Sequence, residues 1–514
     1  MNGSDTEILL GIMKQHGYSR TYSPEAANVV LLNTCSIREK AEQKVFSRIG
    51  ELKRLTSPFR ADKPVLGVIG CMAERLKSRL FEEKAVDIIA GPDALRSVPG
   101  LVDLFCKGLQ DGTELSLSDR MDVQLSVEET YADVAPVRKR GVSAAVSIMR
   151  GCDNMCAFCV VPRTRGRERS REFDSVVQEV RDLYEQGFKE VLLLGQNVNS
   201  YADTSRGPLP SGQQHASPFY AQGFSSVYKP EKRRNGAVSF AELLRECAVA
   251  CPEMRIRFTS PHPKDFSDDV LEVVKAHHNI CKVLHMPAQS GSTRVLQSMR
   301  RGYSREAYLT LVDRIRTMIP EIALSTDLLM GFCGESEADH QETLDLIQRV
   351  GYDQAFLFAY SERSQTHAAR HLQDDVDPAT KLRRLQEAIA HYKKVLTVRN
   401  EAEVSRRHMV LVEGSSRRDD ATLTGKTCTG KRVFLPAGSV PPSLKCSSGE
   451  EQQVTIQAGD YLAVTIVAST AACLTARADS KTTIAEFVEV HGSTVPVATG
   501  LCSSRGGLTA MSTE

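Results

Sequence analysis

Two hydrophobic periods alternate along this chain. The run NVVLLN (Asn28 to Asn33) is apolar over the length of a buried strand, and helical spacing then takes over to about Leu55. Val65–Ile69 and Val86–Ala90 repeat the strand pattern, with helical stretches between them. Asp5 to His16 reads as an amphipathic helix closed by Gly17, with Ser4 and Glu7 at capping-box spacing. This rhythm predicts a parallel α/β domain over residues 1–110. Cys35 and Cys71 each fall where a strand ends and a helix begins, and such loops share one edge of an open sheet. The first helix opens the chain with no strand before it, so the domain is expected to have lost its first strand.

Residues 111–140 are polar and acidic without a period and are expected to form a linker. The strand–helix rhythm then resumes over 141–376. Strands are predicted at 144–149, 191–195, 255–260, 282–287, 322–330 and 354–360. Helices are predicted near 173–186, 240–250, 267–277, 293–318 and 337–349. Six such units fit a partial (β/α)6 barrel, whose chemistry belongs at the carboxyl ends of the strands. Residues 201–239 interrupt it as a mobile surface insertion rich in Pro, Gly, Ser and basic residues. A charged helical connector follows over 377–407. Short β runs at 408–412, 431–435 and 460–467 predict a small antiparallel β-barrel over 408–476. The tail, 477–514, is expected to be disordered.

Composition adds limits rather than a class. The 514 residues are 41% hydrophobic and 25% charged with a net charge of +1, so any nucleic-acid contact must come from local patches. No apolar run reaches membrane-spanning length, and the first residues do not read as a charged-then-apolar signal peptide or an Arg/Ser-rich transit peptide. The 14 cysteines include a cluster at ligand spacing, which argues for a reducing compartment and metal ligation rather than disulfides.

That cluster is Cys152, Cys156 and Cys159, a C-x3-C-x2-C run directly after the first barrel strand. Three thiolates can hold three irons of a [4Fe-4S] cube and leave the fourth iron open to a chelating amine and carboxylate. A zinc knuckle is the alternative, and it lacks a fourth ligand in sequence, although His262 or His285 could approach. Polar loops follow three later strands and supply Gly195, Gln196, Asn197, Ser260, His262, Gln289 and Ser290. Arg301 and Asp327 add charge. Together they suit a polar small molecule, although polar loops close any such barrel. Arg163, Arg165, Arg167, Arg169 and Arg171 recur at every second position and read as a phosphate-contacting stripe, with a solvated loop as the alternative. Arg417, Arg418, Lys426, Lys431 and Arg432 give the C-terminal barrel a basic character. Cys247 and Cys251 share a helix face and read as core.

With these pieces in order, the chain resembles the MiaB-type tRNA methylthiotransferases, closest to the eukaryotic mitochondrial members. These are the group named for association with a cyclin-dependent-kinase regulatory subunit. The matching stretches include SIREKAEQ (36–43), GCMAERLK (70–77), AGPDALRSVP (90–99), SIMRGCDNMCAFCVVPRTRGRERSR (147–171) and LLGQNVNSY (193–201). RIRFTSPHPKDF (255–266), PAQSGS (287–292), MRRGYSREAY (299–308) and GFCGESE (331–337) extend the match, which covers roughly residues 2 to 476.

The resemblance implies a methylthiotransferase N-terminal domain, a radical S-adenosylmethionine (SAM) barrel and a C-terminal TRAM barrel that holds tRNA. It implies addition of methylthio to C2 of N6-isopentenyladenosine 37 in the anticodon stem-loop. On it, Cys152, Cys156 and Cys159 hold the SAM-binding [4Fe-4S] cluster. A second, auxiliary [4Fe-4S] cluster would sit on N-terminal cysteines, of which this chain offers Cys35 and Cys71, an incomplete set. It further implies a ferredoxin- or flavodoxin-type electron donor, a monomer, no membrane, and a mitochondrial location with the cytoplasm as a second one. The alternative is an RNA- or protein-binding form impaired at the sulfur site.

Overall fold

The computed structural model describes residues 1–36, 39–55, 64–84, 86–139, 141–205, 221–225, 236–445, 453–493 and 497–498. The chain forms two units, Met1–Val395 and Leu396–Glu514.

In the first unit, β1 (Val29–Thr34), β2 (Val65–Gly70), β3 (Ile88–Ala90) and β4 (Met121–Asp122) form a parallel sheet in that order. β2 is buried along its whole length, which is why its sequence is a continuous apolar run. The helix Asn2–Gln15 lays Ile8, Leu9, Ile12 and Met13 on one face of this sheet. Ser4 and Glu7 do not form the expected capping box, because the helix begins earlier, at Met1, without a side-chain cap. Glu7 instead pairs with Arg138 at 3.0 Å. The stretch read as a linker also belongs here. It supplies β4, and Tyr131 and Val134 enter the core beneath the first helix.

The barrel strands are β5 (Ser143–Ser147), β6 (Glu190–Leu194), β7 (Arg255–Phe258), β8 (Val283–His285), β9 (Ala323–Met330) and β10 (Gln354–Ala359). They run parallel in sequential order, as two three-stranded sheets joined by a bridge between Ile256 and Ile280. Capping boxes at Ser239/Glu242 and Ser336/Asp339 start two of the intervening helices where the hydrophobic period begins. The helix expected over 293–318 is two helices, Thr293–Ser298 and Arg305–Met318. Arg300 and Gly302 both adopt positive φ between them, so the backbone turns at Arg301. The mobile-insertion reading falls largely on 206–220 and 226–235, outside the described residues. Its ends pair as Ala202–Asp203 with Val238–Ser239.

In the second unit, β11 (Arg406–Ser415), β12 (Thr422–Thr427), β13 (Arg432–Pro436), β14 (Tyr461–Ser469) and β15 (Leu474–Thr482) close on themselves in the order β11-β12-β13-β15-β14. β12 and β15 escaped the sequence reading because Thr, Lys, Ser and Gly interrupt their alternation. The tail expected to be disordered from 477 first completes β15. It then forms a helix, Ile484–His491, capped by Thr483, with Phe487 fully buried. Residues 499–514 lie outside the described residues. Among the described residues no helix is long and apolar enough to cross a membrane.

Candidate functional site

The loop after β5 carries the three cysteines. Gly151 has φ +74°, and a Cβ there would lie 2.0 Å from the Arg167 carbonyl oxygen, so only glycine fits the entry to this loop. The Cys152 amide donates to Gly166 O at 3.2 Å and the Cys159 amide to Cys156 O at 3.0 Å. Ala157 links to Met299 O and to the Ala368 amide, which fixes the middle of the loop. Cys152 and Cys156 are buried and Cys159 is partly exposed. Burial, then Glu168 and the neighbouring thiols, hold the Cys152 thiol well above its ordinary value. Burial, with Cys156 beside it, pushes Cys159 up to about 12. Such thiols lose their protons to a bound metal rather than to water. A structural zinc ion takes four ligands, whereas three thiolates suffice for a [4Fe-4S] cube that keeps one iron open. The three thiols of this loop therefore fit a cluster.

The polar loops predicted to surround the cysteines fall into two groups. Those after β6 and β7 are latched together. His262 N donates to Asn199 Oδ1 at 2.9 Å, Asn199 Nδ2 to His262 O at 3.0 Å, and Asn197 Nδ2 to Asp265 Oδ2 at 2.9 Å. Asn197 Oδ1 and Gln196 Oε1 are buried and unpartnered among the described residues, as expected of groups that face a ligand. Ser260 and Gln289 adopt positive φ at the ends of β7 and β8, a strain that tends to collect at binding sites. His262 is buried. Burial, then Arg301 and Lys264, lower its pKa well below the ordinary value, so it is neutral at pH 7. Arg301 reaches Cys156 Sγ at 3.2 Å. Ser290 turns the other way, toward Thr343 at 3.4 Å and the Ser292 amide at 3.2 Å. Asp327 faces His285 at 3.4 Å on the adjoining strand.

Three residues at this site were not singled out in the sequence. Tyr303 donates from its hydroxyl to the carbonyls of the loop after β8 and lies 6.1 Å from the His262 ring. Lys264 and Asp265 form a buried ion pair at 2.8 Å. The only hint of the latter was their position in the PHPKDF loop.

A second group of thiols lies on the N-terminal sheet. The register pairs Thr34 with Gly70, so Cys35 and Cys71 occupy equivalent positions one residue on. Gly70 has φ +91°, and a Cβ would meet Thr34 O at 2.8 Å. The equivalent position after β3 is Pro92, followed by Asp93, so among the described residues Cys35 and Cys71 are the cysteines at this edge of the sheet.

The arginine stripe is corrected by the fold. Arg165, Arg169 and Arg171 are buried. Arg165 NH2 donates to Asp5 at 2.6 Å and its Nε to Cys71 Sγ at 3.2 Å. Arg169 pairs with Asp93 at 2.6 Å, and Arg171 with Glu179. Arg150 joins them through Asp5 at 3.0 Å and Asp93 at 3.3 Å. The stripe thus binds the N-terminal domain to the cysteine loop. Arg163 and Arg167 alone stay on the surface, and Arg167 is paired with Asp153 at 2.7 Å. In the C-terminal barrel Lys426 is held by Glu413 and Lys431 by Asn400, which leaves Arg417, Arg418 and Arg432 exposed. Cys247 and Cys251 are core, as read.

A sequential parallel strand array with a C-x3-C-x2-C loop at its carboxyl end defines the radical-SAM class. In agreement, the family model described as the radical SAM superfamily matches residues 146–347. A second model, described as the uncharacterized protein family UPF0004, matches residues 1–91. The mitochondrial tRNA methylthiotransferase CDK5RAP1 of Mus musculus is 47% identical over 94% of this chain and 80% of its own. A CDK5RAP1-like protein of Oryza sativa subsp. japonica is 45% identical over 96% and 82%. The tRNA-2-methylthio-N(6)-dimethylallyladenosine synthase of Chloroherpeton thalassium is 42% identical over 92% and 93%. The chain belongs to this tRNA methylthiotransferase family. Membership in the radical-SAM class implies a [4Fe-4S] cluster and SAM binding.

Proposed function

We propose that the protein adds a methylthio group to C2 of N6-isopentenyladenosine 37 in tRNA, as a radical-SAM methylthiotransferase. The observation that carries this reading is the buried Cys152/Cys156/Cys159 loop at the strand carboxyl ends, in a chain with relatives of that name along most of its length. When bound, the cluster and SAM supply one electron and a carbon radical able to take hydrogen from a C–H bond that no protein base could deprotonate.

On this reading Cys152, Cys156 and Cys159 hold the cluster. The Gly195–Asn197 segment, Ser260, His262 and Gln289 orient SAM, and neutral His262 accepts or donates a hydrogen bond without adding charge. The latched loops after β6 and β7 keep water from this end of the barrel. Cys35 and Cys71 hold part of an auxiliary cluster that provides sulfur. The C-terminal barrel grips the anticodon stem-loop through Arg417, Arg418 and Arg432. A ferredoxin- or flavodoxin-type protein supplies electrons to the monomer, in the mitochondrion. The non-catalytic alternative draws only on the two-thiol count at the N-terminal edge, and the relatives' names favour the enzyme.

Anaerobic reconstitution and iron counting test the reading. Two clusters give about eight irons per chain and one gives about four. Incubation with isopentenyladenosine-containing tRNA, SAM and a reductant should yield the methylthio nucleoside by mass spectrometry. About four irons, with SAM cleavage but no such product, would defeat the enzyme reading for this chain.

A further inference from the structure

Arg301 is an unusual buried cation. It is 4% exposed, and each of its three nitrogens has a partner: Nη1 donates to Cys156 Sγ at 3.2 Å, Nη2 to Pro287 O at 2.8 Å, and Nε to the Tyr303 hydroxyl at 3.0 Å. None of these partners is a carboxylate, and Arg301 forms no ion pair among the described residues. The other buried arginines near the cysteines differ, since Arg150, Arg165 and Arg169 each pair with Asp5 or Asp93. A buried charge without a counter-charge is costly, so Arg301 is placed for an anion other than a carboxylate.

The geometry says which anion. The one soft, ionisable partner is the Cys156 sulfur, with Cys159 next to it. Arg301 is thrown there by the backbone turn at Arg300 and Gly302, and Tyr303 fixes it from behind through the Pro287 and Ala288 carbonyls. We propose that Arg301 is a positioning residue whose guanidinium is the built-in counter-charge of the cluster on Cys152, Cys156 and Cys159. By donating to a ligand sulfur it raises the reduction potential of that cluster, because the reduced form carries one more negative charge. Arg301 thus acts through the sulfur rather than on the SAM carboxylate. This rests on the cluster reading above.

The test isolates this cluster by substituting Cys35→Ala and Cys71→Ala in the full chain, then compares the parent with Arg301→Gln, Arg301→Met and Arg301→Lys. Iron content, the melting transition and an EPR-monitored redox titration are read together. The Gln and Met variants should keep about four irons while the one-electron equilibrium shifts about tenfold toward the oxidised form, a fall of ~59 mV. The Lys variant should recover part of the shift. Loss of iron with an unchanged melting transition in both neutral variants also supports the proposal, since the cluster then requires the cation. An unchanged potential with full iron overturns it, as does iron loss that follows collapse of the fold. A parent that binds no iron, or whose iron survives Cys156→Ala, defeats the cluster reading itself.

Discussion

Asp5→Ala strikes the junction between the N-terminal domain and the cysteine loop. The Asp5 carboxylate is 5% exposed and lies between Arg165 at 2.6 Å and Arg150 at 3.0 Å. Burial opposes its charge, but the two guanidinium groups, Arg165 first, hold its pKa well below the usual carboxylate range. Removing it leaves Arg165 with the Cys71 sulfur and no carboxylate, whereas Arg150 keeps Asp93 and the Pro92 carbonyl. Breaking a buried pair in this way costs about 3 kcal/mol, the low end because one arginine stays paired. The loss falls on docking of the Asn2–Gln15 helix, so amide exchange of Ile8 to Met13 should accelerate roughly 100-fold. Arg165→Met in the same chain should restore part of the protection, because an apolar pair of similar volume avoids the stranded cation. The sign of the pH effect follows. A depressed folded pKa gives stability that is present above the unfolded value of about 4 and is lost as pH falls below it toward the folded value. Exchange within threefold of the parent at pH 7 would refute the argument that this ion network docks the helix.

Further outcomes follow from the same geometry. Gly151→Ala should displace the cysteine loop, with less iron bound after reconstitution and a strain of about 1–3 kcal/mol in the melting transition. Arg169→Ala should destabilise the first unit by about 3 kcal/mol in denaturant, because Asp93 keeps Arg150, while Arg163→Ala should stay within ~0.5 kcal/mol. If Arg163 contacts tRNA, its loss should reduce the salt slope of binding by about one. His262, whose pKa is lowered by burial, destabilises the fold as pH drops below its unfolded value of about 6.5. His262→Gln should flatten the melting temperature between pH 7 and 5. Deleting residues 406–493 should weaken tRNA binding far more than SAM cleavage, and an equal loss of both would make the C-terminal barrel structural.

The sequence carried the rhythm of the fold well. The six barrel strands lie within two or three residues of their hydrophobic runs, and the helix Phe240–Ala250 has the predicted bounds, because burial of a face is written as a local period. Where local signals competed with distant partners they lost. Glu7 left its capping position for Arg138, and residues 121–134, polar on average, packed as strand and core because Met121, Tyr131 and Val134 found an apolar surface.

By itself, then, the sequence determined the class: strand–helix alternation, cysteines at C-x3-C-x2-C spacing, and two more at strand ends. Those are short-range properties, fixed by spacing along a few residues. Only the tertiary structure decided what the arginines do. A sequence period assigns a side chain to a face, but a guanidinium's partner depends on which carboxylate or sulfur the chain returns to the same few ångströms. Arg165 meets Asp5 across 160 positions and Arg301 meets Cys156 across 145. The low dielectric of a buried junction then strengthens those contacts.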